Sequence, residues 1–156
     1  MSGKAPIRRL AVIGLGLIGG SLARALRAAG AVGSVCGYDS DPEQVRQAIA
    51  HGVIDSAGAD AAQAVKGADV VLLSVPVLAT GAALRAVAPA LEPETIVTDV
   101  GSTKVSVLAA ATEVFGALPP RFVPGHPIAG TEKSGVAHSR ADLFRGHRVI
   151  LTPHPQ

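Results

Sequence analysis

The sequence predicts a doubly wound α/β domain, a mostly parallel sheet covered by helices on both faces. Three observations carry that expectation. Short apolar, β-branched runs alternate with segments of helical periodicity, Gly and Pro punctuate the short connections, and a glycine-rich turn joins the first run to the first helix. Such alternation requires parallel strands joined by right-handed crossovers. The 156 residues suit one domain with a single core, its first few residues expected to be disordered.

Each element has its own justification. Residues 9–13 form an apolar run suited to a strand buried on both faces. From Leu17 the apolar spacing turns helical, with Ile18, Leu22, Ala25 and Ala29 on one stripe and Gly30 placed to end it. Residues 34–38 read as the second strand. Asp41, Pro42 and Gln44 then supply an N-cap, a first-turn proline and a capping-box-like third position for a helix ending near Gly52. A short strand is expected at 53–55, a helix at 61–65 and a strongly apolar strand at 69–75, stopped by Pro76. A helix over 84–91, imperfect because of Pro89, leads to a strand at 95–99 and a helix over 103–115. Two last short strands fit 121–123 and 148–152.

Composition removes several classes of function. Lys and Arg total 14 against 12 Asp and Glu, the basic residues are scattered, and there are three Phe, one Tyr and no Trp. A nucleic-acid partner needs concentrated cations or stacking rings, so none is expected. With 48% apolar and 17% charged residues the chain is globular in composition. The apolar run at 10–22 resembles a signal peptide only superficially, since it contains Gly14, Gly16, Gly19 and Gly20, and the run at 70–84 carries Pro76 and is too short for a bilayer. No membrane association is expected. The lone Cys36 allows no internal disulfide and suits a buried small hydrophobe in a reducing, cytoplasmic setting. No metal site is expected.

In doubly wound sheets ligands bind beyond the carboxyl ends of the strands. Gly14-Leu15-Gly16-Leu17-Ile18-Gly19 lies there as G-x-G-x-x-G between strand and helix. The first glycine permits the turn, the second lets backbone approach a pyrophosphate, and the third lets helix and strand pack closely. Asp39, 20 residues after Gly19 at the end of the second strand, can accept hydrogen bonds from an adenosine ribose. Its charge would repel the extra phosphate of NADP, and neither Ser40 nor Asp41 compensates, so NAD is the cofactor expected in a Rossmann-type site. Ser74, Val75, Pro76 and Gly101 follow later strands at the same edge. In the bland alternative the glycines pack a turn and Asp39 caps local backbone.

A redox site also needs a group that manages the substrate proton. Of five histidines, His126 follows Val123-Pro124-Gly125 and precedes Pro127, which would hold its ring on a rigid loop at the ligand edge. An ordinary loop histidine is the competing reading. Ser102, after the strand ending at Asp99, reads as a helix N-cap or a substrate contact, and the two roles can coexist. Thr131, Glu132 and Lys133 could form a polar substrate rim or a solvated turn. The residues alone support a nicotinamide-dependent oxidoreductase without naming its substrate.

The chain resembles the prephenate/arogenate dehydrogenase family. The likeness rests on the glycine turn through Gly20-Ser21, on Ser74-Val75-Pro76-Val77, on Asp99-Val100-Gly101-Ser102-Thr103-Lys104 and on Leu143-Phe144. Most specific is the block Gly125-His126-Pro127-Ile128-Ala129-Gly130-Thr131-Glu132-Lys133-Ser134-Gly135. The resemblance runs from Ile7 to Pro153 and implies NAD-dependent oxidative decarboxylation of prephenate to 4-hydroxyphenylpyruvate, or of arogenate to tyrosine. It implies that His126 bonds the ring hydroxyl and helps take its proton, that Ser102 orients that hydroxyl and the nicotinamide, and that Thr131 and Glu132 support the cleft. It also implies homodimers through a helical C-terminal domain, for which this sequence has no counterpart before Gln156. The alternative is an isolated NAD-binding module, or a half-enzyme without turnover of its own.

Overall fold

The computed structural model describes residues 3–129 and 131–153. The expectation of a disordered start falls partly on Met1 and Ser2, which lie outside the described residues, as do Gly130 and His154. Six parallel strands, β1 (Ile7–Ile13), β2 (Val32–Tyr38), β3 (Ser56–Ala57), β4 (Val70–Leu73), β5 (Ile96–Asp99) and β6 (Phe122–Val123), form one sheet. Their order is β3-β2-β1-β4-β5-β6, so the direction of winding reverses between β1 and β4. That reversal opens a crevice at the carboxyl ends of the two strands.

Alternate residues of the central strands feed two cores. Leu10 and Val12 of β1 and Leu72 of β4 pack with Ala23 of α1 (Leu17–Ala28) and Ala48 of α2 (Pro42–Ala50). Ala11, Ile13, Val71 and Leu73 face α3 (Ala61–Val65), α4 (Thr80–Val87) and α5 (Lys104–Phe115) on the other side. Burial on both faces is why these strands read as unbroken apolar runs. Cys36 is buried in the second core, as expected.

Several boundaries move. The strand expected at 53–55 is β3, at Ser56–Ala57, because Val53 and Ile54 are instead buried beneath α2, both donating backbone N–H to Ala48 O. Only from Asp55 N, bonded to Val35 O, does the chain join the sheet. The helix expected over 84–91 begins earlier, at Thr80 after a 3-10 turn at Val77–Ala79, and tightens into 3-10 geometry at Ala88–Ala90. Pro89 has no N–H to continue an α-helix there. Gln44 does not close a capping box: Asp41 caps α2 by accepting from Glu43 N, while Gln44 Oε1 accepts from Val136 N at 2.9 Å. Distant backbone has claimed the side chain that the local pattern reserved.

The largest departure follows β6. His126 belongs not to a loop but to a strand, β7 (Gly125–Pro127), which pairs antiparallel with β8 (Val149–Leu151) in a separate two-stranded ribbon. The ribbon leaves Val149, Ile150 and Leu151 about half exposed, and Val149 and Leu151 also line an apolar groove of about 180 Å³ with Leu22, Leu26 and Leu72. Apolar surface of this kind drives association. Sedimentation velocity at rising concentration is expected to show self-association of this chain, whereas a clean monomer at high concentration would contradict it.

Candidate active site

Gly14 follows β1 directly, in a conformation with φ +98°, donating its N–H to Tyr38 O at 2.9 Å. A Cβ there would stand 2.3 Å from Ser74 O, so only glycine permits the adjoining backbones of β1 and β4 to meet. Gly19, the third residue of α1, would place a Cβ 2.5 Å from Gly14 O and is buried against Ser74. Gly16 differs: a Cβ there meets nothing within 4 Å, because the residue faces open space. It begins α1 with no side-chain cap, which leaves the helix N-terminus to an anionic ligand. Leu15, between the two, is fully buried and anchors the turn to the core.

Asp39 closes the other side of the turn. Its Oδ2 accepts from Leu15 N at 2.7 Å and its Oδ1 from Asp41 N at 2.8 Å. A carboxylate offers about four lone-pair sites, so two remain for ligand hydroxyls after these bonds. The bonds to local backbone therefore leave this side chain able to accept further hydrogen bonds.

One cavity of about 890 Å³ joins the parts that the sequence lists separately. Its wall holds Gly14, Gly16, Leu17, Ile18 and Asp39 from the glycine turn and the end of β2, Ser74, Val75 and Pro76 from after β4, and Gly101, Ser102, His126 and Thr131 from after β5. Two expected site residues stand outside its wall: Gly19 packs behind the turn, and Glu132 is exposed. Ser102 is not the N-cap of α5. Thr103 holds that position without a side-chain bond, leaving the exposed Ser102 free of any capping duty. His126 is half-buried in β7, opposite Ile150 of β8.

Other residues of the wall lie outside the expected set. Ala79, Ala82, Ala83 and Ala86 line the cavity, and their spacing of three and four along α4 and its lead-in turn was a legible signal. Small side chains there leave room for a flat ring. Ser134 also lines it, as does Lys133 of the expected polar rim, on a segment secured at long range. Arg24 Nε donates to Ser139 Oγ at 2.7 Å, Arg140 N donates to Ser21 Oγ at 3.0 Å, and Gln44 holds Val136 N. No local pattern announces these partners. Among the described residues there is no cluster of three or more His, Cys, Asp or Glu that could hold a metal, and no helix long and apolar enough to cross a membrane.

A glycine turn at the reversal point of a 3-2-1-4-5-6 sheet, with a carboxylate at the end of β2, defines a Rossmann-type dinucleotide-binding domain. Residues 22–156 match the family model described as prephenate dehydrogenase, nucleotide-binding domain, and the chain belongs to that family. It is 44% identical over 147 residues to the cyclohexadienyl dehydrogenase of Zymomonas mobilis, covering 94% of this chain and 49% of that protein. It is 43% identical over 143 residues to the prephenate dehydrogenase of Bacillus subtilis, covering 90% of this chain and 38% of that protein. Among solved structures, the prephenate dehydrogenase of A. aeolicus in complex with hydroxyphenyl propionate and NAD+ superposes with a TM-score of 0.85 at 38% identity, over 94% of this chain and 51% of that one. The Synechocystis arogenate dehydrogenase gives 0.83 at 32% identity, over 94% and 50%. The chain thus spans about half the length, or less, of the relatives it matches.

Proposed function

We propose that this chain is the NAD-binding half of a dehydrogenase that oxidatively decarboxylates prephenate or arogenate, yielding 4-hydroxyphenylpyruvate or tyrosine. The observation that carries the reading is one cavity whose wall holds the glycine turn and Asp39 together with Ser102 and His126. The turn and the α1 N-terminus would hold the pyrophosphate, with the open space at Gly16 admitting it. Bound NAD supplies the hydride acceptor. Ser102 would orient the ring hydroxyl, and His126 would take its proton as the carbon beneath loses hydride. Loss of carbon dioxide then leaves an aromatic ring, which makes the overall step downhill. A base at the hydroxyl favours the oxygen charge that develops in the transition state. Thr131 lines the same cavity, and Glu132 would act from outside the wall. A cytoplasmic setting, and dimerisation through a further helical portion as in the family, belong to the same proposal.

The test is NADH formation by the purified chain with NAD and prephenate, with arogenate in parallel, followed by absorbance. Turnover of either supports the assignment. A folded chain that binds NAD yet turns over neither would favour the alternative, a cofactor-binding half without activity of its own.

Cofactor choice gives a second expectation. Asp39→Ala removes both the two free acceptor sites and the charge that repels a 2′-phosphate. The NAD-to-NADP affinity ratio is expected to fall by roughly tenfold or more, about 1.4 kcal/mol. An unchanged ratio in paired titrations would remove Asp39 from the ribose site.

A further inference from the structure

We infer that the buried Asp99–Lys104 pair is a positioning device that sets His126 and Ser102 relative to each other; the inference rests on the assignment of those two side chains to the reacting centre. Asp99, the last residue of β5, is 3% exposed, and Lys104, the first of α5, is 18% exposed. The carboxylate does three things at once. Its Oδ2 accepts from Gly101 N at 2.8 Å and from Lys104 Nζ, and its Oδ1 accepts from Gly125 N at 3.0 Å. Lys104 Nζ then donates to Gly125 O at 2.6 Å.

The two glycines so held are the immediate neighbours of the two candidate catalytic residues. Gly101 precedes Ser102 and Gly125 precedes His126. Gly125 is gripped at both its N–H and its C=O, the latter belonging to the peptide that carries His126 N. Its lack of a side chain is required, because a Cβ would sit 2.9 Å from Asp99 O.

The ribbon makes the device necessary. β7 pairs with β8 and not with the six-stranded sheet. Among the described residues, the hydrogen bonds that tie β7 to that sheet run through Asp99 and Lys104. Local rules disfavour this lysine, since a cation in the first turn opposes the helix dipole and α5 has no acidic residue there. A residue that breaks a local rule at a site edge has a tertiary reason. Neither residue lines the cavity, so the pair acts through His126 and Ser102 and not on the substrate.

The test compares wild type with Lys104→Met and Lys104→Arg by NMR and by kinetics. In folded Lys104→Met, the His126 ring and Ser102 amide resonances are expected to shift or broaden together, while Gly16 and Asp39 stay in place and NAD affinity holds. Turnover should fall by roughly 10²-fold with KM little changed, the signature of misplacement, and Lys104→Arg should recover most of it. Unmoved His126 and Ser102 resonances in folded Lys104→Met would overturn the inference. Should Lys104→Met not fold, hydrogen exchange of the wild type decides: Gly101 and Gly125 amides opening together support a shared clamp, and unrelated opening overturns it. A wild type without NADH formation would count against the proposed function, while the resonances and exchange still decide the role of the pair.

Discussion

His126→Asn is expected to lower turnover by about 10²- to 10⁴-fold, the range that a positioned general base contributes. The substitution keeps a polar side chain of similar reach but cannot take up a proton at neutral pH. His126 is half-buried within β7 and lines the cavity, with no part in the glycine turn or in the bonds of Asp39. NAD affinity is therefore expected to change little, and the loss should fall on kcat. The backbone of β7 is held by β8 and by Asp99 and Lys104, none of which needs the imidazole. The variant should accordingly fold, which circular dichroism and a thermal melt would check. Near-normal turnover in a folded variant would show that His126 is not the base.

The three glycines of the turn are expected to respond differently to alanine, and the contrast separates folding from binding. At Gly14 a methyl would stand 2.3 Å from the backbone oxygen of Ser74 in a conformation with φ +98°. Steric overlap and backbone strain together should cost roughly 2–6 kcal/mol. Gly19→Ala would push against Gly14 O and should cost roughly 1–3 kcal/mol. Gly16→Ala meets no protein atom, so its stability should stay within about 1 kcal/mol of wild type. Its methyl instead enters the space proposed for the pyrophosphate, and NAD affinity should drop by roughly tenfold or more. Thermal melts and NAD titrations of the three variants read both quantities. Full affinity in Gly16→Ala would place the phosphates elsewhere.

The glycine turn, Asp39 and the first two helices were legible in the sequence because their causes are local. A tight turn needs glycine, α2 needs its Asp41 cap and Pro42, and a strand buried on both faces needs an unbroken apolar run. Elsewhere the same signals misled. Val53 and Ile54 look like a strand but are buried beneath α2, and Ser102 looks like a cap although Thr103 takes that place. Gln44 occupies a capping-box position, yet it holds backbone 92 residues away. Only for Gln44 is the competing partner remote in sequence; Val53 and Ile54 fold back onto Ala48 of α2, and α5 simply starts one residue later than Ser102 would cap it.

The sequence by itself determined the class of fold and the glycine turn, and it supplied the candidate residues around which the proposed chemistry is built. It could do so because periodicity, capping and glycine geometry act within a few residues. Only the tertiary structure decided that His126 sits on a strand paired with β8, that Glu132 lies outside the cavity wall, and that Asp99 and Lys104 join the segments carrying Ser102 and His126. The first and last of those outcomes depend on hydrogen bonds between segments more than 20 residues apart, Asp99 to Gly125 being 26 residues and Lys104 to Gly125 being 21. Such bonds form only after the chain has been brought together by its core, so no local pattern encodes them.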